Sequence, residues 1–442
     1  MRVQTFASFS FGCRVNRAEK EELDRQLLVL GFQYSEKDPS LYIINTCAVT
    51  AKAEREVRQF IYQTKRKFPK TKIIITGCAA TKWINEGKKF PEVFRAIDNT
   101  NKEFIAQLIA GPAPSTSSGQ ALVHPERKSK GSRHPQSSPI LSLKDKFINS
   151  GRLFLKIQDG CQRFCTYCIV PYLRGEPKSE RIKDLVTIIK NNEKEFKEII
   201  LTAINTEAYG FDTEESFLDL IRAILRQTKI ARLSFGSINP GSISKDFLRF
   251  LEKKSLERRI IKYFHIPLQS GSNKILNLMK RGYTREEFLE KLNQLHQINP
   301  MAFLATDIIV GFLDENDRDF EETYNFLRGS PISKFHVFRF SKREKTAAFY
   351  MAKRLKEPTA AEKIRRAKTL SELSKRKYQA FLVKHLGKTF PALFLEKKIE
   401  GYQEALLDNQ IPAFIKTSKN LVGEIKTIKI KKMNSDKLFG EL

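Results

Sequence analysis

Apolar residues at the start of the chain alternate between short continuous runs and helical spacing. Three apolar runs, at 3–9, 41–45 and 72–76, have the length of buried strands, and helical patterns occupy 17–30 and about 50–67. Strand, loop and helix repeating in this order are typical of a parallel sheet with helical crossovers. The pattern therefore predicts an α/β domain at the N-terminal end of the chain.

A polar stretch interrupts this pattern after the first domain. Residues 111–139 are dominated by Pro, Ser, Gly and Lys, and apolar residues nearly vanish from them. Such a composition is typical of linkers and not of packed domains. We therefore predict an N-terminal domain at 1–110, followed by a linker at 111–146.

The middle of the chain contains further apolar runs with helical stretches between them, for example 215–227 and 285–298. The six runs lie at 152–158, 198–203, 230–237, 261–267, 302–312 and 334–340. A βα repeat of this kind predicts a partial (βα)6 barrel, here over 147–380. Functional residues of such barrels gather at the carboxyl ends of the strands.

The C-terminal region has a different pattern and a strong positive charge. Two helical patterns with basic faces come first, and short β-like runs alternate with turns from 389 to 440. Residues 341–442 carry 24 Lys and Arg against 11 Asp and Glu. The pattern predicts a separate region of short β-strands over 381–442, and its charge suits an RNA backbone. A solvated basic face without a partner is the alternative.

The whole chain is also cationic, with 79 basic and 50 acidic residues among 442. This balance favours a polyanionic partner, nucleic acid first, over a basic protein without such a partner. No apolar run approaches the roughly 20 residues of a membrane span, and the first residues lack the layout of a signal peptide. We expect a cytoplasmic protein without a membrane partner, where a reducing thiol pool disfavours a disulfide framework.

The six cysteines fall into two sets of three. Cys13, Cys47 and Cys78, the first triplet, each follow the end of a predicted strand. Ligands gather at the carboxyl edge of open α/β sheets, so three thiolates from three parallel strands can converge there. The alternative is three unrelated buried thiols, because free cysteine is often buried.

Cys161, Cys165 and Cys168, the second triplet, follow the predicted strand 152–158 with the spacing C-x₃-C-x₂-C. Thiolates are the usual ligands of iron–sulfur clusters, and a 4Fe-4S cluster normally takes four. Three would leave one iron open to a small molecule. Structural zinc is the alternative, but it requires a closed set of four ligands, and this loop contains neither a histidine nor a fourth cysteine.

The residues around the second triplet, DGCQRFCTYCIVPYLRGEPKSER, resemble the methylthiotransferases of the radical S-adenosylmethionine (SAM) superfamily. Around the first triplet, GCRVNRAEKEEL, INTCAVTAKAEREVRQ and ITGCAA are similar to the N-terminal domain of that family. HIPLQSGSNKILNLMKRGYT, TDIIVGF and HVFRFSKREKTAA extend the resemblance over essentially the whole chain. CRVN, HIPLQSGS and HVF-x-FS-x-R look most like the branch that acts on threonylcarbamoyladenosine beside the tRNA anticodon.

The resemblance implies an enzyme that uses SAM and two 4Fe-4S clusters to place a methylthio group on carbon 2 of that adenosine in tRNA. It assigns the second triplet to the SAM-binding cluster and the first triplet to an auxiliary cluster. The C-terminal region, 381–442, looks like the RNA-binding TRAM module of the family, which is a small β-barrel. A reductant protein and a sulfur donor are implied partners. The alternatives are another branch, acting on isopentenyladenosine in tRNA or on a ribosomal protein, and a non-catalytic RNA-binding iron–sulfur protein.

Two further groups of residues are candidates for cofactor binding. Gln269, Ser270 and Gly271 lie at a predicted strand end and are candidates to line the SAM pocket, with a purely structural turn as the alternative. Arg281 is a candidate contact to SAM or substrate, and an exposed arginine at a helix end is the alternative.

Other positions receive structural interpretations. Asn16 is a candidate cap for the helix at 17–30, and His265 is interpreted as a core histidine and not as a ligand. The chain departs from the pattern of the family at Ala203, Glu207, Asn239, Leu313 and Asp314. Asp314 stands where a turn glycine is common, which matters if the backbone there requires a positive φ.

Overall fold

The computed structural model describes residues 4–110, 151–253 and 257–442. The predicted linker at 111–146 lies outside the described residues. Within the described ranges, no helix combines the length and the apolar character needed to cross a membrane.

The chain divides into two compact units that do not follow the chain order strictly. The first unit contains the described part of Met1–Leu141 together with Asp159–Arg163 and Cys168–Glu176. The second unit contains the described part of Ser142–Gln158 together with Phe164–Tyr167 and Pro177–Leu442. The loop that carries the second triplet therefore contributes residues to both units.

The first unit is an α/β domain built on one parallel sheet. Its elements are β1 (Thr5–Ser10), α1 (Arg14–Val29), β2 (Gln33–Tyr34), β3 (Leu41–Thr46), α2 (Ala51–Lys67), β4 (Lys72–Gly77), α3 (Cys78–Asn85), β5 (Val93–Ala96) and α4 (Ile105–Ala110). The strand order is β2-β1-β3-β4-β5, and every pairing is parallel. The predicted parallel sheet is confirmed, while β2 and β5 were missed because they are too short for an apolar pattern.

The central strands of this sheet are buried on both faces. Ile44, Ile73 and Ile75 share a hydrophobic core with residues of α2 and α3. Ile43 and Ile74 belong to a separate core with residues of α1 and α4. Because helices cover both faces, β3 and β4 read in the sequence as continuous apolar runs and not as alternating ones.

The second unit begins with a partial barrel of parallel strands. Its elements, with one helix of the first unit included at its place in the chain, are β6 (Arg152–Asp159), α5 (Val170–Arg174, first unit), β7 (Lys178–Ser179), α6 (Ile182–Asn192), β8 (Glu198–Ala203), α7 (Phe217–Gln227), β9 (Arg232–Phe235), α8 (Lys245–Glu252), β10 (Tyr263–His265), α9 (Asn273–Leu278), α10 (Arg285–Ile298), β11 (Phe303–Val310), α11 (Asp317–Gly329), β12 (Lys334–Arg339), α12 (Ala347–Met351) and α13 (Ala360–Val383).

Six strands of this set run parallel in chain order. Together with the added edge strand β7, they form the sheets β7-β6-β8-β9 and β10-β11-β12. A parallel bridge between Leu233 and Ile260 joins the two sheets. This arrangement confirms the predicted partial (βα)6 barrel.

The C-terminal region of the second unit is a closed five-stranded barrel. Its strands are β13 (Thr389–Ile399), β14 (Tyr402–Leu407), β15 (Pro412–Lys416), β16 (Ile425–Asn434) and β17 (Lys437–Glu441). They close in the order β13-β14-β15-β17-β16, and only the β15–β17 pairing is parallel. The predicted small β-barrel is confirmed.

The C-terminal barrel and the central barrel share a hydrophobic core. Phe303 and Ala305 of β11 pack in the same core as Phe394, Leu407 and Ile415 of the C-terminal barrel. The predicted domain boundary at 380/381 falls inside α13, which runs to Val383. The two barrels are therefore packed as parts of one unit.

A buried charge network joins the two barrels as well. Glu198, the first residue of β8, is fully buried and forms ion pairs of 3.3 Å with Arg152 and with Arg232. Gln410 of the C-terminal barrel donates to Oε1 of Glu198 at 2.7 Å. Arg232 donates to the carbonyl oxygen of Leu407 at 2.7 Å. This Glu198 network fastens the C-terminal barrel to the amino ends of the central strands.

Candidate metal centres

The first triplet lies at one edge of the sheet of the first unit. Cys13 occupies the N-cap position of α1, shortly beyond β1. Cys47 follows the last residue of β3, and Cys78 is the first residue of α3, directly after β4. Because β1, β3 and β4 are neighbouring parallel strands, the three cysteines share the carboxyl edge of the sheet, as predicted.

Glycines make the close approach of these loops feasible. Gly12 has a φ of +86°, and a Cβ added to it would lie 2.7 Å from the Sγ of Cys47. Gly77, before Cys78, has a φ of +90°, and a Cβ there would lie 2.6 Å from the carbonyl oxygen of Thr46. A side chain at either position would displace the loop of a neighbouring cysteine.

The environment of Cys47 favours the neutral thiol. Burial raises the pKa of Cys47 to about 12. A coordinated metal overcomes such a shift, because its positive charge deprotonates a ligating thiol outright. The Cys47 thiol is therefore suited to ionise only on binding a metal.

Asn16 holds two of the cysteine loops together. Its Nδ2 donates to the carbonyl oxygens of Phe11 at 2.8 Å and Thr46 at 3.0 Å. These residues lie just before Cys13 and Cys47, respectively. The predicted capping role of Asn16 is wrong, because α1 begins earlier than the sequence pattern indicated and its N-cap makes no side-chain hydrogen bond.

The sequence reading missed a functional candidate, Arg174 at the end of α5. Its guanidinium is buried, and Nε donates to the Sγ of Cys78 at 3.4 Å. Nη2 donates to Oδ1 of Asn16 at 2.6 Å. Nη1 donates to Oε1 of Glu19 at 2.9 Å and to Oδ1 of Asp159 at 2.7 Å. Arg174 therefore contacts one cysteine of the first triplet and the asparagine that positions the other two.

Lys102 completes a charge network around this arginine. Its Nζ lies 2.5 Å from Oε1 of Glu19 and 2.5 Å from Oδ2 of Asp159. We call Arg174, Lys102, Glu19 and Asp159 the Arg174 network. Burial alone would lower the pKa of Arg174, but the charges of Glu19 and Asp159 hold it well above its usual value. The network therefore keeps a cation beside the first triplet.

The donor set of the first triplet suits an iron–sulfur cluster, because thiolates are the usual ligands of such clusters. A 4Fe-4S cluster binds each thiolate through a different iron, so its ligands are spaced more widely than those of one ion. Three thiols at one sheet edge suit that larger group.

The second triplet is divided between the two units. Cys161 and Cys168 belong to segments of the first unit, and Cys165 belongs to the second. Gly160, beside Cys161, has a φ of +74°, and a Cβ added to it would lie 2.0 Å from the carbonyl oxygen of Glu176. Only glycine fits at that position, so the turn that leads into the triplet is sterically defined.

Cys165 has a buried arginine beside it in the second unit. Nη1 of Arg281 donates to the Sγ of Cys165 at 3.2 Å. Nε donates to the hydroxyl of Tyr283 at 2.9 Å, and Nη2 to the carbonyl oxygen of Pro267 at 3.0 Å. Arg281 is only 5% exposed, so the alternative of an exposed helix-end arginine is wrong. A contact of Arg281 with SAM or substrate stays a prediction.

The candidate segment 269–271 forms a turn packed on α11. Gln269 has a φ of +82°, and its N–H donates to the carbonyl oxygen of Asp307 at 2.9 Å. Ser270 is buried, and a Cβ added to Gly271 would lie 2.8 Å from the Cα of Thr323. Ser270 and Gly271 thus have a structural role in this turn. A role of the segment in SAM binding stays a prediction.

His265 has hydrogen-bond partners on both ring nitrogens. Nδ1 lies 2.8 Å from the hydroxyl of Ser237, and Nε2 lies 3.1 Å from Oδ1 of Asp307. Its interpretation as a satisfied histidine agrees with these contacts.

Asp314 occupies the backbone conformation that its sequence position suggested. Its φ is +57°, in the left-handed region that glycine adopts most readily. Oδ1 accepts a hydrogen bond of 2.9 Å from the N–H of Lys356, and the N–H of Asp314 donates to the carbonyl oxygen of Lys356 at 2.7 Å. The aspartate therefore replaces a glycine by fastening the turn through its side chain.

Comparison with known families gives matches over both units. The model described as the Radical SAM superfamily matches residues 155–327, and the one described as Uncharacterized protein family UPF0004 matches residues 5–97. A threonylcarbamoyladenosine tRNA methylthiotransferase MtaB of Aquifex aeolicus is 34% identical over 410 residues, which cover 89% of this chain and 96% of that protein. The protein of the same name from Bacillus subtilis is 30% identical, with 97% and 94% covered.

Similarity extends to proteins named for a different nucleoside. A tRNA-2-methylthio-N(6)-dimethylallyladenosine synthase of Natranaerobius thermophilus is 30% identical over 99% of this chain and 96% of its own length. Among solved structures, the radical SAM methyltransferase TsrM from Kitasatospora setae has a TM-score of 0.51 at 12% identity, with 76% of this chain and 72% of that chain covered. At that identity the structural match shows a shared fold alone.

Proposed function

Because this chain belongs to the methylthiotransferase family of radical-SAM enzymes, we propose that it attaches a methylthio group to threonylcarbamoyladenosine in tRNA. The observation that carries this proposal is the convergence of the first triplet at one sheet edge, in a chain that also has a radical-SAM motif. The motifs CRVN and HIPLQSGS and the relatives named for threonylcarbamoyladenosine support this nucleoside as the substrate.

We assign each cysteine triplet to its own cluster. The first triplet would hold an auxiliary 4Fe-4S cluster that serves sulfur transfer, and the second triplet would hold the cluster that binds SAM. When bound, the second cluster and SAM supply a one-electron reductive cleavage of SAM, which is chemistry that no protein side chain provides. The reaction consumes electrons and sulfur, so a reductant protein and a sulfur donor are proposed as partners.

The chain itself would orient the cysteines and keep water from one of them. Cys165 is 8% exposed, and Arg281 directs an N–H group at its sulfur. The next residue, Thr166, donates through its N–H to the carbonyl oxygen of Met279 at 3.1 Å and through its hydroxyl to that of Leu278 at 2.8 Å. These bonds hold the backbone beside Cys165 in one position.

The C-terminal barrel has a surface suited to RNA. Lys426, Lys429 and Lys432 are exposed on β16. Phe439 on the neighbouring β17 packs against Tyr402, with ring centroids 5.3 Å apart, and the Nζ of Lys432 lies 5.7 Å from its ring centroid. Lysines beside aromatic rings combine contacts to phosphates with contacts to bases. We therefore propose that this barrel binds tRNA, as the TRAM module that it resembles would.

Mass spectrometry of tRNA nucleosides from a deletion strain tests the proposed function. We expect 2-methylthio-threonylcarbamoyladenosine to disappear and the unmodified nucleoside to accumulate. The gene should restore the modification, and the Cys165→Ala variant should not. The same digest measures 2-methylthio-isopentenyladenosine, and loss of that nucleoside instead would assign the chain to the other tRNA branch.

A further inference from the structure

We propose that Arg174 tunes the cluster of the first triplet, raising its reduction potential by donating a hydrogen bond to Cys78 and placing a cation beside it. This inference rests on the proposed function, which assigns a cluster to these cysteines. Arg174 follows Cys168 by six residues, yet its side chain serves the other triplet.

The contact geometry directs one N–H group of the guanidinium at sulfur. Nε lies 3.4 Å from the Sγ of Cys78, within the range of a hydrogen bond to a thiolate. The remaining nitrogens are held by Glu19, Asp159 and Asn16 at 2.6–3.3 Å. Because the planar guanidinium is fixed at several points, its Nε–H has little freedom to turn away from Cys78.

Arg174 is one of the charged groups that set the local charge balance beside the first triplet. The Arg174 network contains two cations and two carboxylates, and the side chain of Arg174 is only 1% exposed. Three ligating thiolates would add negative charge at the same place. Removing Arg174 would leave Lys102 as the one cation of the network, beside the carboxylates of Glu19 and Asp159.

Hydrogen bonds to sulfur and the net charge nearby are among the factors that set the potential of an iron–sulfur cluster. Reduction adds an electron, so a neighbouring cation stabilises the reduced form more than the oxidised form. Loss of the cation should therefore lower the potential. Loss of a carboxylate from the same network should raise it.

The test uses the full chain with Cys161, Cys165 and Cys168 replaced by Ala, reconstituted anaerobically with iron and sulfide. In this background, only a cluster on the first triplet contributes to the spectrum. A redox titration followed by electron paramagnetic resonance then compares the background chain with Arg174→Gln, Arg174→Lys and Glu19→Gln.

We expect opposite signs from the two neutralising variants. Arg174→Gln should shift the midpoint potential to more negative values, and Glu19→Gln should shift it to more positive values. Arg174→Lys keeps the charge but loses the fork of N–H groups, so its negative shift should be smaller. A merely structural disturbance of the site would not reverse sign between Arg174→Gln and Glu19→Gln.

Arg366→Gln is the matched control. The side chain of Arg366 is also 1% exposed and pairs with Glu315, but it lies in the second unit. This variant loses a buried arginine of equal burial and should leave the potential unchanged.

The possible failures are distinguishable. A background chain that binds no cluster would contradict the assignment of the first triplet, and the inference about Arg174 would fall with it. A bound cluster whose potential is the same in Arg174→Gln and Glu19→Gln would overturn the role of Arg174 alone. If Arg174→Gln does not assemble a cluster, Glu19→Gln decides: a positive shift supports the proposal, and no shift or a negative one overturns it.

Discussion

The two cysteine triplets are assembled by opposite means. The first gathers residues from three separate strand ends, and the second is written as C-x₃-C-x₂-C in one loop. In both triplets, a buried arginine donates a hydrogen bond to a cysteine sulfur. Arg174 donates to Cys78 at 3.4 Å, and Arg281 donates to Cys165 at 3.2 Å. A cysteine site can therefore be specified by topology or by local spacing. In either case the arginine beside it comes from elsewhere in the chain.

The surroundings of the two arginines differ. Arg174 is bonded to the carboxylates of Glu19 and Asp159. Arg281 contacts the hydroxyl of Tyr283 and the carbonyl oxygen of Pro267, which are neutral groups. The first site therefore holds its cation by ion pairing, and hydrogen bonds to neutral groups take part in holding the cation of the second.

The largest expected effect separates the chemistry of the two triplets. Cys165→Ala should abolish formation of 5′-deoxyadenosine, because it removes a ligand of the cluster assigned to SAM cleavage. Cys47→Ala should still cleave SAM but yield no methylthiolated adenosine. Chromatography of both products, from reactions with dithionite and tRNA, measures this separation.

The wild-type chain and a Cys47→Ala preparation of known iron content are the controls for this experiment. Loss of SAM cleavage in Cys47→Ala, while the cluster of its second triplet is present, would contradict the separate roles of the two triplets. So would formation of 5′-deoxyadenosine by Cys165→Ala.

The next effect concerns iron content. Two 4Fe-4S clusters would give about eight irons per chain after anaerobic reconstitution. Replacing the second triplet by Ala should leave about four, and replacing the first triplet should do the same, because each set has its own ligands. Iron and sulfide assays check these values. A wild-type chain that saturates at about four irons would contradict the presence of two independent sites.

A smaller effect is expected on stability, where the two buried charge networks differ in their role. The Arg174 network lies beside cysteines, whereas the Glu198 network joins two barrels. Glu198→Gln should lower the free energy of unfolding by roughly 3–5 kcal/mol, because it leaves Arg152 and Arg232 without their buried carboxylate. Urea unfolding measures the loss, and the exposed Glu252→Gln should change stability by less than about 0.5 kcal/mol.

The pH dependence of this stability has a definite sign. Burial alone would raise the pKa of Glu198, but Arg152, Arg232 and the hydrogen bonds from Ser234 and Gln410 lower it below its usual value. The stabilisation is therefore present above the unfolded-state pKa of about 4.3 and is lost as the pH falls through the folded-state pKa. The difference between wild type and Glu198→Gln should shrink below that pH. A difference that stays constant into acid would contradict the ionised state of Glu198.

The shared core determines how the C-terminal barrel can be tested. Truncation near residue 385 would be the simplest way to remove the C-terminal barrel. Such a truncation would expose Phe303 and Ala305 of β11, which pack against C-terminal residues, and would remove Gln410 from the Glu198 network. Point variants on the surface of the barrel avoid this loss of packing.

The smallest expected effect concerns RNA affinity. A triple variant, with Lys426, Lys429 and Lys432 replaced by Ala, should weaken tRNA binding roughly tenfold. The salt dependence of binding should also decrease, because fewer phosphate contacts mean that fewer counterions are released on binding. Alanine at Lys190, Lys229 and Lys245, which are exposed near outer helices of the central barrel, changes the net charge equally and is the control. Filter binding at several salt concentrations measures both. Equal losses in the two triple variants would show a general charge effect and no RNA surface on β16.

Much of the fold followed from the apolar pattern, and the exceptions have local causes. The runs at β3, β4, β8 and β11 were predicted because buried parallel strands require continuous apolar residues. β2 and β5 contain two and four residues, too few to produce a pattern.

The candidate site also has features that the sequence predicted and features that it did not. By itself, the sequence determined the two triplets, because thiolates after strand ends and the C-x₃-C-x₂-C spacing are properties of neighbouring residues. Only the tertiary structure decided that Asn16 ties the cysteine loops and that Arg281 is buried against Cys165. It also placed Arg174 on Cys78, which precedes it by 96 residues. The physical reason is that a hydrogen bond depends on distance and direction in space, and the separation of two residues along the chain determines neither.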